Sequence, residues 1–438
     1  MGSIAQTVKS ILGESLVISW ENLAAPLNQA VQATITSDHL PVCIAYPETP
    51  AQLAAIVACA HQNHWRILPC GQGSKLSWGG LINGADLIVS TQRLSRLVEH
   101  AVGDLTVTVE AGLSFVELQR TLLKTRQFLA IDPAYGEQAT LGGIVATRDT
   151  HALRQGYGGV RDMLIGVSFV RYDGQLATAG GRVVKNVAGY DLMKLMTGSF
   201  GTLGILTQLT FRTYPLREVS RTVVLAGNAE AIQVLTAEIR LSSLTPVAID
   251  ILSPKLLPEC ETEHYGLALQ FQSIEAGVAE QVDRLQVIAK PHGVTSRVLA
   301  GDTDAQFWQA LNATLFPAKQ DSVDMAVIAK VGIRPAEGMA LLTYLQTTLA
   351  PGTWQARLHA NSGIGTLRLM AGDNSSERLQ AVRSHCQRSG GYLNLLEAPT
   401  AWKMDLDPWA LTDSVKLLMT QLKDQFDPQR CLSPGRFY

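Results

Sequence analysis

The sequence predicts an α+β fold made of two different domains. Strand and helix alternate through the first half of the 438 residues, and the second half runs through a βαββαβ order twice. Glycine is concentrated before the repeat. The 69 residues from Gly136 to Gly204 hold 14 of the 37 glycines, where an even spread would place about six. Glycine costs backbone entropy, so such clustering marks tight turns or backbone that must approach a ligand closely.

The elements follow in order. Ile4, Val8, Ile11 and Leu12 predict a short amphipathic N-terminal helix, and residues 1–37 are taken as a helical segment. The polar residues Gln6, Lys9, Ser10 and Glu14 interrupt what would be a signal-peptide core. Val42 to Tyr46 reads as a strand, followed by a helix with Leu53, Ile56, Val57 and Ala60 on one face. Short strands follow at Arg66 to Pro69 and Leu87 to Val89. Leu105, Val107 and Val109 alternate with polar residues, predicting a half-buried strand. Ser114 and Glu117 form a capping box for a helix through Leu118 and Leu122. Leu164 to Arg171, the Asp173-Gly174 turn and Leu176 to Ala179 form a hairpin, and Ile205 to Thr213 is a strongly alternating strand. The two repeats in the second half begin near Thr222 and Met325. A linking helix at Ala305–Ala313 separates them, and a final helix carries Val415, Leu418, Met419 and Leu422.

Composition removes several function classes. Lys plus Arg (36) against Asp plus Glu (38) leaves −2, without the basic surplus that phosphate backbones demand. The longest apolar run, Leu53 to Ala60, is far too short to span a bilayer. Six scattered cysteines make no C-x-x-C pair, so neither an iron–sulfur cluster nor a structural zinc site is predicted, and the thiols are expected to be free and buried. His61 and His64 fit a helix C-terminal charge better than a metal site.

No Walker A loop exists. Gly71-Gln72-Gly73-Ser74-Lys75-Leu76 has only the first two glycines of a Rossmann fingerprint. What remains is a strand running into a turn of small residues, whose successive N–H groups could cradle a pyrophosphate. Four features then occur in a definite order. They are Leu68 to Ser74, Ala139-Thr140-Leu141-Gly142-Gly143, Tyr157 to Asp162, and the stretch from Lys185 to Ile205. Together with the tail from Phe426 to Gly435, they resemble the FAD-binding domain of the vanillyl-alcohol oxidase and p-cresol methylhydroxylase (PCMH) flavoproteins. More narrowly, Gly181 to Asp191 and the chain length are similar to the small flavin-binding subunits of bacterial glycolate oxidases.

The resemblance implies a PCMH-type FAD-binding domain of two α+β subdomains at 38–216. It also implies an antiparallel cap domain of duplicated βαββαβ at 217–420 and a tail, 421–438, that returns to the FAD domain. It assigns Gly71, Gln72, Gly73, Ser74 and Lys75 to the FAD pyrophosphate. Pro133, Thr140, Gly142, Gly143, Ala146 and Thr147 go to the diphosphate and ribityl chain, and Gly201, Gly204 and Ile205 to backbone running against the cofactor. Arg182, Lys185 and Arg436 become candidates for a cation beside the flavin N1–C2 carbonyl, while Asp191 is expected to cap a helix. Relatives with covalent flavin carry His near the position of Ser74, so non-covalent FAD is expected. Of the His-rich segment found in larger 2-hydroxy-acid dehydrogenases only His359 remains, in His359 to Thr366. No catalytic base and no metal site are assigned.

The function implied is an FAD-dependent subunit of a cytoplasmic glycolate oxidase or dehydrogenase complex, either free or peripheral to the inner membrane through a partner. A larger FAD-binding catalytic subunit and an iron–sulfur subunit are the implied partners. The alternatives are a structural FAD-binding subunit and a stand-alone FAD-dependent alcohol oxidase.

Overall fold

The computed structural model describes residues 3–36, 39–149, 152–181, 190–257, 264–317 and 326–437. The chain divides into two compact units. The first comprises Met1–Thr150, Gly159–Pro215 and Leu411–Tyr438; the second comprises His151–Gly158 and Leu216–Ala410. The sequence boundary at 420/421 falls inside the helix Asp413–Phe426, which stays whole in the first unit.

In the first unit, helix Ile4–Leu12 starts at Ser3, whose hydroxyl accepts from the Gln6 N–H while the Gln6 side chain accepts from the Ser3 N–H. Two sheets follow. The smaller has the order Val17–Ser19, Cys43–Ala45, Leu87–Ser90, Ile67–Cys70, and its last three strands are parallel. Helix Pro50–Gln62 covers it with Leu53, Ile56, Val57 and Ala60, the four positions its spacing selects. The larger sheet is antiparallel, in the order Leu97–Ala101, Thr106–Glu110, Ile205–Arg212, Leu164–Val170, Leu176–Gly180. Thr106–Glu110 is buried on both faces, not half-buried as its alternation suggests. It lies inside the sheet, where Thr108 and Thr210 satisfy each other across strands at 3.0 Å. Leu105 sits before this strand at φ 54°. Ser114 caps helix Phe115–Leu123 by accepting from the Glu117 N–H, which is half of the expected box.

The second unit is a single eight-stranded antiparallel sheet. Its order is Thr295–Ala300, Val219–Gly227, Tyr265–Ser273, Ala248–Leu252, Trp354–His359, Ile364–Met370, Ala326–Gly332, Tyr392–Glu397. Each half reads fourth, first, third, second strand of one repeat, and the halves meet through their second strands. This is a duplicated βαββαβ unit. Helices Ala229–Leu241, Glu275–Ala289, Gly338–Thr348 and Ser376–Arg388 bury their apolar stripes with one face of the sheet in a common core. Trp354 belongs to that core and Trp402 packs against it. Among the described residues no helix is long and apolar enough to cross a membrane.

Candidate functional site

Strand Ile67–Cys70 delivers the chain into the turn 71–75, which walls a cleft open to solvent. Thirteen of the fourteen residues singled out in the sequence line this cleft: Gly71, Gln72, Gly73, Ser74, Lys75, Thr140, Gly142, Gly143, Ala146, Thr147, Gly201, Gly204 and Ile205. Pro133 does not. It lies one residue before Ala134, whose N–H donates to Asp149 Oδ2, the partner of Lys75, at 2.9 Å.

The wall is defined by which amides are already used. Gly142 donates to the Ala111 carbonyl (2.7 Å) and Gly143 to Thr140 Oγ1 (3.2 Å), so this helix end contributes close approach, not donors. By contrast, among the described residues the backbone N–H groups of Gly71 through Lys75 have no acceptor. Five consecutive unused amides on a concave wall form a nest for an anion such as a pyrophosphate. Ser199 Oγ, also on the wall, is buried without a partner. Glycine is required at 71, because a Cβ there would stand 2.1 Å from Thr140 Oγ1.

The resemblance assigns Lys75 to the pyrophosphate, and in the structure its charge is already engaged. Its ammonium is buried, 2.6 Å from Asp149 Oδ2, and lies over the Trp78 ring at 5.5 Å. The pair therefore pins the turn instead of presenting a free charge. Arg436 supplies the second fixed cation. Its guanidinium donates to the carbonyls of Leu76 (3.0 Å), Trp78 (3.1 Å) and Gly80 (2.7 Å), and burial pulls its pKa down to about 10. The tail is held in place by Asp427, fully buried, which accepts from the Cys431 and Leu432 amides, and by Lys423, which donates to the carbonyls of Thr202 and Leu432. Ser433 then pairs with Ile67. The final turn is thus sewn onto the strand that feeds the nest.

Other expectations resolve as follows. Asp191 occupies the N-cap position of Leu192–Met196, but its carboxylate pairs with Lys194 at 2.6 Å and makes no cap bond. Arg182 and Lys185 lie outside the described residues, as does Cys260. Burial raises the thiol pKa values of Cys43, Cys386 and Cys431 to about 11 and of Cys70 to about 12. His61 ends its helix edge-on to Tyr172 at 5.1 Å, and His64 lies beyond the helix at φ 56°. Sequence reading missed Asp149 and Ser199, since nothing adjacent to either signals a role. It also missed Asp250, for which a signal existed: a lone acid in the apolar run from Val247 to Leu252.

A family model described as an FAD binding domain matches residues 41–180, which include the nest. The cofactor is FAD. The glycine cradle and the unused amides fit it, and the whole chain has the fold of the PCMH-type FAD-binding oxidoreductases. The solved structure of p-cresol methylhydroxylase with substrate bound is similar over 99% of this chain and 96% of that one, with TM-score 0.78 and 14% identity. The mitochondrial D-lactate dehydrogenase [cytochrome] of Arabidopsis thaliana is 27% identical over 327 residues, 70% of this chain. The chain spans little more than half, 56%, of that relative. Glycolate oxidase subunit GlcE of Escherichia coli (strain K12) is 37% identical over 146 residues, 33% of this chain and 41% of that protein. The likeness to glycolate oxidase subunit GlcE extends over a third of the chain.

Proposed function

We propose that this chain is the FAD-binding subunit of a glycolate oxidase or dehydrogenase type of complex, oxidising a small 2-hydroxy acid to the 2-oxo acid. A larger FAD-binding subunit and an iron–sulfur subunit are its partners in this reading. The observation that carries it is the nest of unused amides from Gly71 to Lys75, which lines one cleft together with Thr140 and Gly201. The names of the relatives supply the substrate class. Bound FAD supplies an acceptor for an electron pair. The chain's own contribution is to hold it: the 71–75 amides take the pyrophosphate, and Gly201 and Gly204 let backbone run beside the cofactor. Arg436 lines the same cleft, where it would place a fixed positive charge near the bound cofactor. Ser74 offers no imidazole for a covalent link, so FAD is held non-covalently and acid precipitation releases it to the supernatant.

Anaerobic mixing of the purified chain with glycolate or D-lactate tests this reading. Bleaching of the flavin, by the chain alone or once partner subunits are added, is the expected result. Flavin that stays oxidised in the assembled complex with both acids refutes it.

A further inference from the structure

Ser199, Phe200 and Gly201 give the FAD cleft one of its walls, and the turn they form is strained. Phe200 lies in the left-handed region at φ 51°, which a side chain of this size keeps only when its surroundings enforce it. Inside the turn, Thr202 returns both its N–H and its hydroxyl to the Ser199 carbonyl, at 3.0 and 2.7 Å. The Phe200 N–H donates to the Ala146 carbonyl at 2.9 Å. Two further restraints come from the C-terminal part of the chain. The Phe437 ring stands edge-on to the Phe200 ring at 5.6 Å, and the Thr202 carbonyl accepts from Lys423 Nζ at 2.8 Å. All of these residues belong to the first unit.

Lys423 is not itself on the cleft wall. It sits in helix Asp413–Phe426 with its side chain 12% exposed. An ammonium has three N–H groups, and here each meets an acceptor: the Thr202 carbonyl, the Leu432 carbonyl at 2.7 Å and Asp427 Oδ2 at 2.5 Å. Anchoring the helix end would need only Asp427, four positions on. The other two bonds reach the cleft turn and the tail. Beyond Leu432 the tail runs through Ser433, itself left-handed at φ 45°, and carries Arg436 to the cleft. One buried ammonium therefore fastens together two strained segments, the turn that carries Gly201 and the tail that delivers Arg436.

The junction depends on a proton. A neutral amine keeps two N–H groups and turns a lone pair toward the third acceptor, so one oxygen loses its donor in a buried place. Burial opposes the charged form, Asp427 supports it, and burial is the larger effect, so the Lys423 pKa lies below the ordinary lysine value. The Cys431 thiol and the Arg430 guanidinium also face Lys423. Cys431 stays protonated up to about 11, and Arg430 is paired with Asp424 at 2.7 Å. Residues 198–204 carry no titratable side chain, and on the neighbouring helix Leu192–Met196 the one charge, Lys194, is paired with Asp191.

We infer that Lys423 is a positioning residue for FAD: its protonated side chain holds the turn 199–202 and Arg436 in the arrangement that retains the cofactor, and loss of that proton loosens both together. It acts without touching FAD, through the Thr202 and Leu432 carbonyls. Linkage makes the effect reciprocal, so bound FAD favours the protonated junction and slows opening of the tail. The sign follows. FAD is held tightly while Lys423 is charged, and affinity falls as pH rises through its titration.

FAD-loaded protein is equilibrated between about pH 7.5 and 10.5, and free flavin is measured after rapid ultrafiltration. In wild type the FAD dissociation constant is expected to rise about three- to tenfold across this range. Lys423→Gln keeps a neutral donor that does not titrate. It is expected to bind FAD about 10- to 100-fold more weakly at the lower pH and to lose most of the alkaline rise. Leu422→Ala unsettles the same helix without touching the ammonium, and the rise is expected to remain. Arg436, with its pKa near 10, titrates in the same range, so the variants at 423 make the assignment. Hydrogen exchange gives a second readout: FAD slows exchange in residues 427–437 of wild type and has little effect there in Lys423→Gln. A wild-type profile that stays flat, an undiminished rise in Lys423→Gln, or undiminished protection of its tail by FAD overturns the inference. Should Lys423→Gln fail to fold, Lys423→Arg decides, because its guanidinium stays charged throughout. A flattened profile in that variant supports the role, and a wild-type rise overturns it.

Discussion

Gly71→Ala tests the nest directly. The added methyl would meet Thr140 Oγ1 at 2.1 Å, Cγ2 at 3.0 Å and Cβ at 3.1 Å, all in the side chain across the cleft wall. Thr140 cannot swing away freely, because its hydroxyl caps helix Leu141–Thr147 by accepting from the Gly143 N–H. Giving up that cap costs about 1 kcal/mol, and forcing the methyl into a packed wall costs about 1–3 kcal/mol. The backbone at 71 must therefore retreat, which misaligns the amides that would hold a pyrophosphate. An FAD affinity lowered roughly 10- to 100-fold is expected, equivalent to about 1.4–2.8 kcal/mol. Quenching of flavin fluorescence during titration of apoprotein measures it. Thr140→Gly in the same chain removes all three clashing atoms, so the double variant is expected to recover most of the affinity beyond the loss of Thr140→Gly alone. If Gly71→Ala binds FAD like wild type, or the second substitution brings no recovery, the nest is not where the cofactor is held.

Three further outcomes follow from the same geometry. Lys75→Met leaves the Asp149 carboxylate, which is 1% exposed, without its ammonium partner, so a loss of about 3–5 kcal/mol is expected in urea unfolding. Adding Asp149→Asn should return part of it, and a single variant as stable as wild type would show that the pair does not pin the turn. Arg436→Met removes the donors to Leu76, Trp78 and Gly80 and is expected to lower FAD retention on gel filtration, whereas full retention would separate the tail from the cofactor. The thiols of Cys43, Cys386 and Cys431 stay protonated up to about 11 when folded, against 9.0 for a free thiol. Above roughly pH 9 the unfolded chain therefore binds fewer protons than the folded one, and stability falls as pH rises, by about 1.4 kcal/mol per unit for each thiol. Urea midpoints from about pH 8 to 10 should drop more shallowly in Cys386→Ala, and equal slopes would contradict the burial.

Legibility in the sequence followed the range of the interaction. Helix Pro50–Gln62 and the order of both repeats were readable because amphipathic period and turn residues are local. The turn 71–75 is legible because Gly71 and Gly73 bracket the end of a strand, which is a local signal. The burial of Thr106–Glu110 on both faces is not legible in its period-2 alternation, because its threonines find a partner only across strands, as Thr108 does in Thr210. The pairing of Lys75 is not legible either: its partner Asp149 is 74 positions away in the sequence, and only folding brings them together.

Asp250 shows how far such reading can be pushed. Within Val247 to Leu252 it is a single charge among apolar residues, which on energetic grounds is either an error of strand assignment or a group held for use. The structure keeps the strand and buries the carboxylate completely. One of its oxygens goes to His359, and the other faces Arg357 Nε at 3.7 Å, an ion pair without a hydrogen bond. Both partners sit on the neighbouring strand Trp354–His359, so the charge is tolerated inside the sheet because two basic side chains of one strand stand against it. The sequence shows the acid but not its partners, which lie more than a hundred positions away.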